Sequence, residues 1–298
     1  MSEFKSWNQK KHAKDWLLFS KNLGSYLSLD ETAFSNGELY TIVTNKKAKG
    51  KKGAIVAMVK GTKADAVITI LHKIPLKQRK KVKEVTLDMA GNMGLIVKKS
   101  FPNATQVIDR FHVQKLALDA LQEIRIKHRW EALDTENDAI ENARNKSLKY
   151  TPELLTNGDT LKQLLARSRY LLYKNSSKWT DNQEARAKML FEYYPDIEKA
   201  YKLCQNLSWI FNNTKDKISA LIRLAKWDEK VRQAKFKSFN SISRTMSIHY
   251  KNILNYFDNR STNASAESFN AKIKAFRMQF RGVRNVEFFL FRLTNIYA

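Results

Sequence analysis

The amino-acid sequence predicts an α/β protein: a mixed five-stranded sheet with flanking helices, interrupted by a large all-α segment before the last helices. Three observations predict it. Seven of the nine glycines fall before residue 95, so tight turns crowd the first third and long helices follow. In that third, β-rich runs first follow one another directly and then alternate with helical runs, as in a meander followed by strand–helix–strand crossovers. From about residue 113 to 257 the apolar spacing is helical.

Each element has its own signal. SYLSLDETAF (25–34) and ELYTIVTN (38–45) are β-rich, and Ser35, Asn36 and Gly37 between them read as a hairpin turn. The lysine-rich loop KKAKGKKG (46–53) leads to a third strand, AIVAMVKG (54–61). ADAVITILHKI (64–74) has helical spacing and stops before Pro75. KVKEVTLD (81–88) is a fourth strand, NMGLIVKKSFP (92–102) a short helix and ATQVIDRF (104–111) a fifth strand. Within the helical segment, Thr180 and Gln183 form a capping box ahead of ARAKMLFEYY. Pro195 opens the next helix, which carries Tyr201, Leu203, Leu207 and Ile210. SFNAKIKAFRMQFRG (268–282) makes one more helix with two faces. Phe269, Ile273, Phe276 and Phe280 form its apolar stripe; Glu267, Asn270, Lys274, Arg277 and Arg281 its polar one. The expected division is an N-terminal extension (1–25), a first core part (26–112), an all-α insertion (113–257) and C-terminal core helices (258–298).

Fifty-four basic against 29 acidic residues leave a net charge of +25. A surplus of that size opposes compaction by self-repulsion, so it points to a polyanionic partner, nucleic acid before an anionic membrane. One cysteine, Cys204, excludes an internal disulfide and a cysteine-based zinc site and is expected buried and inert. There is no signal segment and no run of the ~18–20 apolar residues that a span needs, so a soluble cytoplasmic protein, not a membrane one, is expected.

The chemistry centres on VTLDMAGNMG (85–94) and SLDE (28–31), where apolar runs end in Asp88 and Asp30. A carboxylate at the end of a buried strand is costly unless something keeps it charged, and a metal ion does so. If the first and fourth strands are neighbours, Asp30 and Asp88 project side by side at a switch point of the sheet. Two such carboxylates repel unless cations separate them, and hard oxygen ligands suit Mg²⁺ or Mn²⁺. Glu267, on a helix packed over the sheet, is placed to be the third acid. Three acids holding two metals ~4 Å apart suit phosphoryl transfer. Lys274, Arg277 and Arg281 would grip phosphates beside them.

With these pieces assembled, the sequence resembles the catalytic part of bacterial insertion-sequence transposases of the ISL-three-type branch, the Asp-Asp-Glu enzymes with a ribonuclease H-like core. The resemblance rests on SLDETAF, VTLDMAGNM, FPNATQVIDRFHVQKLALDAL, RSRYLLYKNSSKWT, YPDIEKAY and NASAESFNAKIKAFRMQFRGVRN, in family order over residues 26–297. It implies Asp30, Asp88 and Glu267 as ligands of two divalent ions, and cleavage of DNA ends followed by strand transfer to target DNA. It also marks Asp109 and His112 of DRFH. Its partners would be element ends and target DNA, with self-association on that DNA in the bacterial nucleoid. Relatives usually carry a zinc-binding and helix-turn-helix region before the core. Here about 25 residues precede SLDE, so that region is expected on a separate polypeptide, or the element is truncated.

Some assignments have rivals. Asp109 competes with Asp88 as the second ligand. His112 is expected as a structural histidine bonded to Asp109 and ordering the site. Lys47, Lys49 and Lys51, with the run KQRKKVK, are expected on DNA phosphates. Tryptophans are more often core, but Trp179, in the loop-like NSSKWTDN, is the one placed to stack on an unpaired base. Against strand transfer stand a nuclease of the same fold that cuts without joining and a catalytically inactive DNA-binding remnant.

Overall fold

The computed structural model describes residues 2–33, 38–279 and 285–298 of the chain. In chain order its main elements are β1 (Trp16–Leu18), β2 (Tyr26–Ala33), β3 (Leu39–Asn45), β4 (Ile55–Lys60), α1 (Ala64–Leu71), β5 (Glu84–Leu87), α2 (Gly91–Ser100) and β6 (Thr105–Ile108). Then follow α3 (Arg110–Asn145), α4 (Leu161–Arg167), α5 (Asp181–Tyr193), α6 (Pro195–Asn213), α7 (Lys217–Ala234), α8 (Asn240–Leu254), α9 (Ala264–Gln279) and α10 (Val286–Tyr297). The chain divides into two compact units, Met1–His112 with His249–Ala298, and Val113–Ile248.

The first unit holds one sheet in the order β1-β4-β3-β2-β5-β6. β2, β3 and β4 are the predicted antiparallel meander, and β5 and β6 run parallel to β2. The sheet is thus mixed, with a topology compatible with the ribonuclease H-like expectation. Among the described residues it has six strands, not five. The extra one, β1, pairs antiparallel with β4 (Leu17 opposite Met58) inside the stretch expected to be an extension. WLL is too short to show a period; its strand state comes from the edge that β4 offers, which seeks a partner. Ser35, Asn36 and Gly37 of the predicted hairpin turn lie outside the described residues.

Side-chain alternation sorts the sheet's two faces. Leu27, Leu29, Val43, Ala57, Val59, Val85 and Leu87 pack with Val67, Ile70 and Leu71 of α1 and Met93, Ile96 and Val97 of α2. On the other face, Leu17, Tyr40, Ile42, Ile55 and Met58 pack with Phe269, Ile273 and Phe276 of α9 and Phe289, Leu290 and Leu293 of α10. Every residue of Ala54–Val59 is at most 3% exposed, because β4 is covered on both faces and so reads as an unbroken apolar run. The apolar stripe predicted for α9 is therefore its docking face; Phe280, its last member, falls outside the described residues.

A second tie holds α9 in place. Lys272 Nζ donates to the carbonyl oxygen of Gly50 at 2.7 Å, fastening the lysine-rich loop to the helix. Gly50 has φ +65°, a left-handed conformation that a side chain disfavours, and a Cβ there would come within 3.2 Å of Lys272 Nζ.

In the helical unit, both α4 and α5 open with capping boxes, Thr160 with Gln163 and Thr180 with Gln183. Trp227 is fully buried and donates its indole N–H to the carbonyl of Leu203 at 2.8 Å. Cys204 is buried, which pushes its thiol pKa up and leaves it a poor nucleophile. Among the described residues no helix is long and apolar enough to cross a membrane.

Candidate active site

Asp88 and Asp109 directly follow the last residues of β5 and β6, and Asp30 lies within β2, two residues past the part that pairs with β5. β2 and β5 pair with Ser28 opposite Thr86, and continuing that register by two residues sets Asp30 beside Asp88. β5 and β6 pair with Leu87 opposite Ile108, and one further step sets Asp88 beside Asp109. This is also where the meander ends on one side and the crossovers begin on the other, the switch point at which open sheets gather ligands.

Asp30 is half-buried. Its Oδ1 accepts from the Glu31 backbone N–H at 2.8 Å, and its Oδ2 accepts from Asn270 Nδ2 on α9 at 2.7 Å. Burial holds its pKa above the ordinary carboxylate value; the Glu31 N–H and His112 pull it down, Asp88 pushes it up, and Asn270 pulls it down. Asp88 accepts from the Ala90 N–H at 2.8 Å, a turn that leads the chain from β5 into α2. Helix α2 is capped at Ala90, so Asp88 stands two residues ahead of the N-cap instead of serving as one.

Glu267 sits exposed in the first turn of α9, one turn before Asn270. Its pKa is raised, first by the partial desolvation of its carboxylate and then by Asp109, with His112 lowering it and Asp30 raising it again. The fold thus brings Glu267, 237 positions from Asp30 in sequence, into the field of Asp30 and Asp109. His112, half-buried in the first turn of α3, supplies the compensating field at both Asp30 and Glu267.

Asp109 does different work. It is 1% exposed, and its two oxygens accept backbone N–H groups, Phe111 at 3.1 Å and Asn263 at 2.7 Å. Its carboxylate therefore clamps the end of β6 to the segment that starts α9. The expected bond between His112 and Asp109 takes another form: the His112 backbone N–H donates to the Asp109 carbonyl at 3.2 Å, and the carboxylate goes to backbone donors instead. Asn263 is itself fully buried, and among the described residues neither polar atom of its side chain has a hydrogen-bond partner.

Three features went unseen in the sequence. Glu31, next to Asp30, has a pKa raised by burial, by Asp88 and by Asp30, and lowered by a hydrogen bond with Asn92; the acidic doublet in SLDE was its only signal. Asn270 belonged to the polar stripe of its helix without a role, although its spacing of three from Glu267 places both over one spot. A polar cluster centres on the buried Glu84 and Thr86: the half-buried Lys46 Nζ donates to Thr86 Oγ1 at 2.7 Å and stands 3.7 Å from Glu84 Oε1, and Glu84 Oε2 accepts from Asn259 at 3.0 Å.

Asp30, Asp88 and Glu267 offer only carboxylate oxygens, a donor set that fits a hard divalent cation, and the mutual repulsion of these acids is what such a cation relieves. As the side chains stand, no three of His, Cys, Asp or Glu among the described residues form a group that could hold one ion. Of the predicted phosphate contacts, Lys47, Lys49, Lys51 and Lys274 are exposed, Arg277 is half-exposed and Arg281 lies outside the described residues. Trp179 belongs to the helical unit. There its indole N–H donates to the Leu171 carbonyl at 2.9 Å and its ring stacks on Tyr201 at 5.4 Å, so the ring is engaged within the fold.

The family model described as a transposase of the DDE, ISL3 type matches residues 27–293. No curated protein matches the chain significantly.

Proposed function

We propose, on the premise that the chain belongs to the DDE transposase family of the ISL3 type, that it cuts DNA at the ends of a mobile element and joins them to target DNA with the help of divalent metal ions. The observation that carries the reading is the row that strand register gives Asp30, Asp88 and Asp109 just past the paired parts of the parallel strands, with Glu267 of α9 in the field of Asp30 and Asp109.

In this reading Asp30, Asp88 and Glu267 are the metal ligands and Asp109 is the brace that positions Glu267's helix. Asp88 is preferred to Asp109 because both Asp109 oxygens already serve backbone N–H groups in a fully buried site. Two Mg²⁺ or Mn²⁺ ions held there would lower the pKa of the attacking hydroxyl and stabilise the leaving oxygen. Asn270 fixes the Asp30 oxygen it bonds, and His112 offsets the crowding of negative charge. Lys274 and Arg277 neutralise DNA phosphates, as do the loop lysines 47, 49 and 51. Water attacks the phosphorus at the element end and a 3′-hydroxyl leaves; that hydroxyl then attacks a target phosphodiester, and the target's own 3′-oxygen departs. Self-association on paired ends completes the proposal.

A second reading, an inactive DNA-binding remnant, draws on the absence of a three-ligand group among the described residues. DNA carrying the element's own ends separates the two. In Mg²⁺ or Mn²⁺ the protein should nick that DNA and join pre-cleaved ends, while Asp30→Asn, Asp88→Asn and Glu267→Gln each abolish cutting and keep nonspecific affinity. Binding without cutting in either cation would mean a remnant, and cutting without joining a nuclease.

A further inference from the structure

The helical unit carries a groove of about 590 Å³ lined by α3 and by the segment that follows α4. Its walls combine two chemistries. Arg125, Arg129 and Arg169 bring three guanidinium groups together, and Trp130, Ile126 and Tyr173 supply apolar surface. Trp130 is 59% exposed, an unusual state for the residue type most costly to leave in water. Tyr170, 70% exposed, lies next to the groove with the Arg169 guanidinium 5.4 Å above its ring.

The site is built, not incidental. Arg125 is 4% exposed; its Nε donates to Gln122 Oε1 at 2.6 Å and its Nη1 to the Leu165 carbonyl at 2.9 Å. Gln122 in turn donates to the Arg169 carbonyl at 3.3 Å. A buried guanidinium is thus held by neutral groups. Burial lowers its pKa, and the charges of Arg129 and Arg169 lower it further, so the cluster works against itself until an anion enters. The acids of the groove do not cancel this: Asp119 is engaged by Lys115 at 3.6 Å, which leaves Glu123 against three arginines.

We infer that this groove binds an unpaired stretch of DNA, its phosphates on Arg129 and Arg169 and a base stacked on Trp130. Guanidinium forks match phosphate, and an exposed indole matches the face of a base. Duplex DNA hides its base faces in the stack, so the aromatic part of the groove selects a strand that has left the helix. An acidic peptide would satisfy the arginines and leave Trp130 unused. The inference rests on the proposed action on DNA, and it moves base recognition from Trp179, whose ring is engaged inside the fold, to Trp130.

Fluorescence anisotropy with the full-length chain tests it, using a blunt duplex and the same duplex with a short single-stranded tail. The wild-type protein should prefer the tailed DNA. Trp130→Ala should cut affinity for tailed DNA about tenfold and leave blunt-duplex affinity unchanged, and Trp130→Phe should keep most of the preference. Arg129→Gln should lower the salt dependence of tailed-DNA binding by about one phosphate. Because Trp130 is exposed, unfolding should not confuse the result, and thermal melting checks that. The inference is overturned if Trp130→Ala binds tailed DNA as the wild type does, if it loses both DNAs equally, or if polyglutamate displaces the tail as well as an oligonucleotide does. Failure of the wild type to bind either DNA would sink the DNA reading itself.

Discussion

Asn270 donates its side-chain N–H to Asp30 Oδ2 at 2.7 Å across 240 positions of chain. Glu267 lies one turn earlier on the same helix, so this one bond sets the aim of Asp30 and the position of Glu267 over the sheet together. Outer partners that orient ligand carboxylates are typically worth about 10–100-fold in affinity or activity. Asn270→Ala should therefore lower the cleavage rate by about that factor with little change in DNA binding. Single-turnover rates of wild type and variant measure it, and equal rates would remove the role given to Asn270.

The clamp formed by Asp109 predicts a loss of stability first. Asp109→Ala leaves the buried Asn263 N–H without its acceptor, at about 1–3 kcal/mol, and frees the part-buried Phe111 N–H as well. Urea unfolding should show a drop of about 1–3 kcal/mol, and Asp109→Asn, which keeps one acceptor oxygen, a smaller one. Were Asp109→Ala as stable as the wild type yet inactive, Asp109 would be a ligand and not a brace.

Asp30 predicts a pH dependence. Its pKa in the folded protein is raised, mainly by burial, so the folded state holds the proton more tightly than the unfolded one. Its contribution is fully present below the unfolded carboxylate pKa, and stability falls as pH rises from there through the folded pKa. In a chelator, Asp30→Asn should thus match the wild type in acid and exceed it near neutrality, and added Mg²⁺ should narrow the gap by stabilising the wild type alone. Urea midpoints across that pH range measure this; a variant less stable at neutral pH would contradict it.

The half-buried Lys46 and the buried Glu84 form a pair. Burial lowers the Lys46 pKa while Glu84 and Asp109 raise it. Lys46→Met would strand a nearly inaccessible Glu84 carboxylate and should cost about 3–5 kcal/mol. The double variant Lys46→Met with Glu84→Gln should regain most of that, as a double-mutant cycle would show. An additive cycle would mean that the two do not act as a pair.

The strands and helices that could be read in advance were those whose burial repeats along the chain. β2, β3 and β4 alternate or run apolar, and α9 carries Phe269, Ile273 and Phe276 on one stripe. β1 could not be read, because three residues hold no period and their state depends on the edge of β4. The strand-end aspartates were visible as charges ending apolar runs, whereas Asn270, Glu31 and the Lys46–Glu84 pair were ordinary polar residues until the fold gave them neighbours.

The chain by itself determined its α/β character, the meander, the acids at the ends of its strands and a basic surface suited to DNA, since these follow from local periodicity and summed charge. Tertiary structure alone decided that Asp30, Asp88 and Asp109 share one row, that Asp109 accepts from Asn263 while Asn270 bonds Asp30, and that Trp130 is exposed while the Trp179 ring stacks on Tyr201. Those outcomes depend on strand register and helix docking, which join residues hundreds of positions apart through contacts that no local pattern encodes.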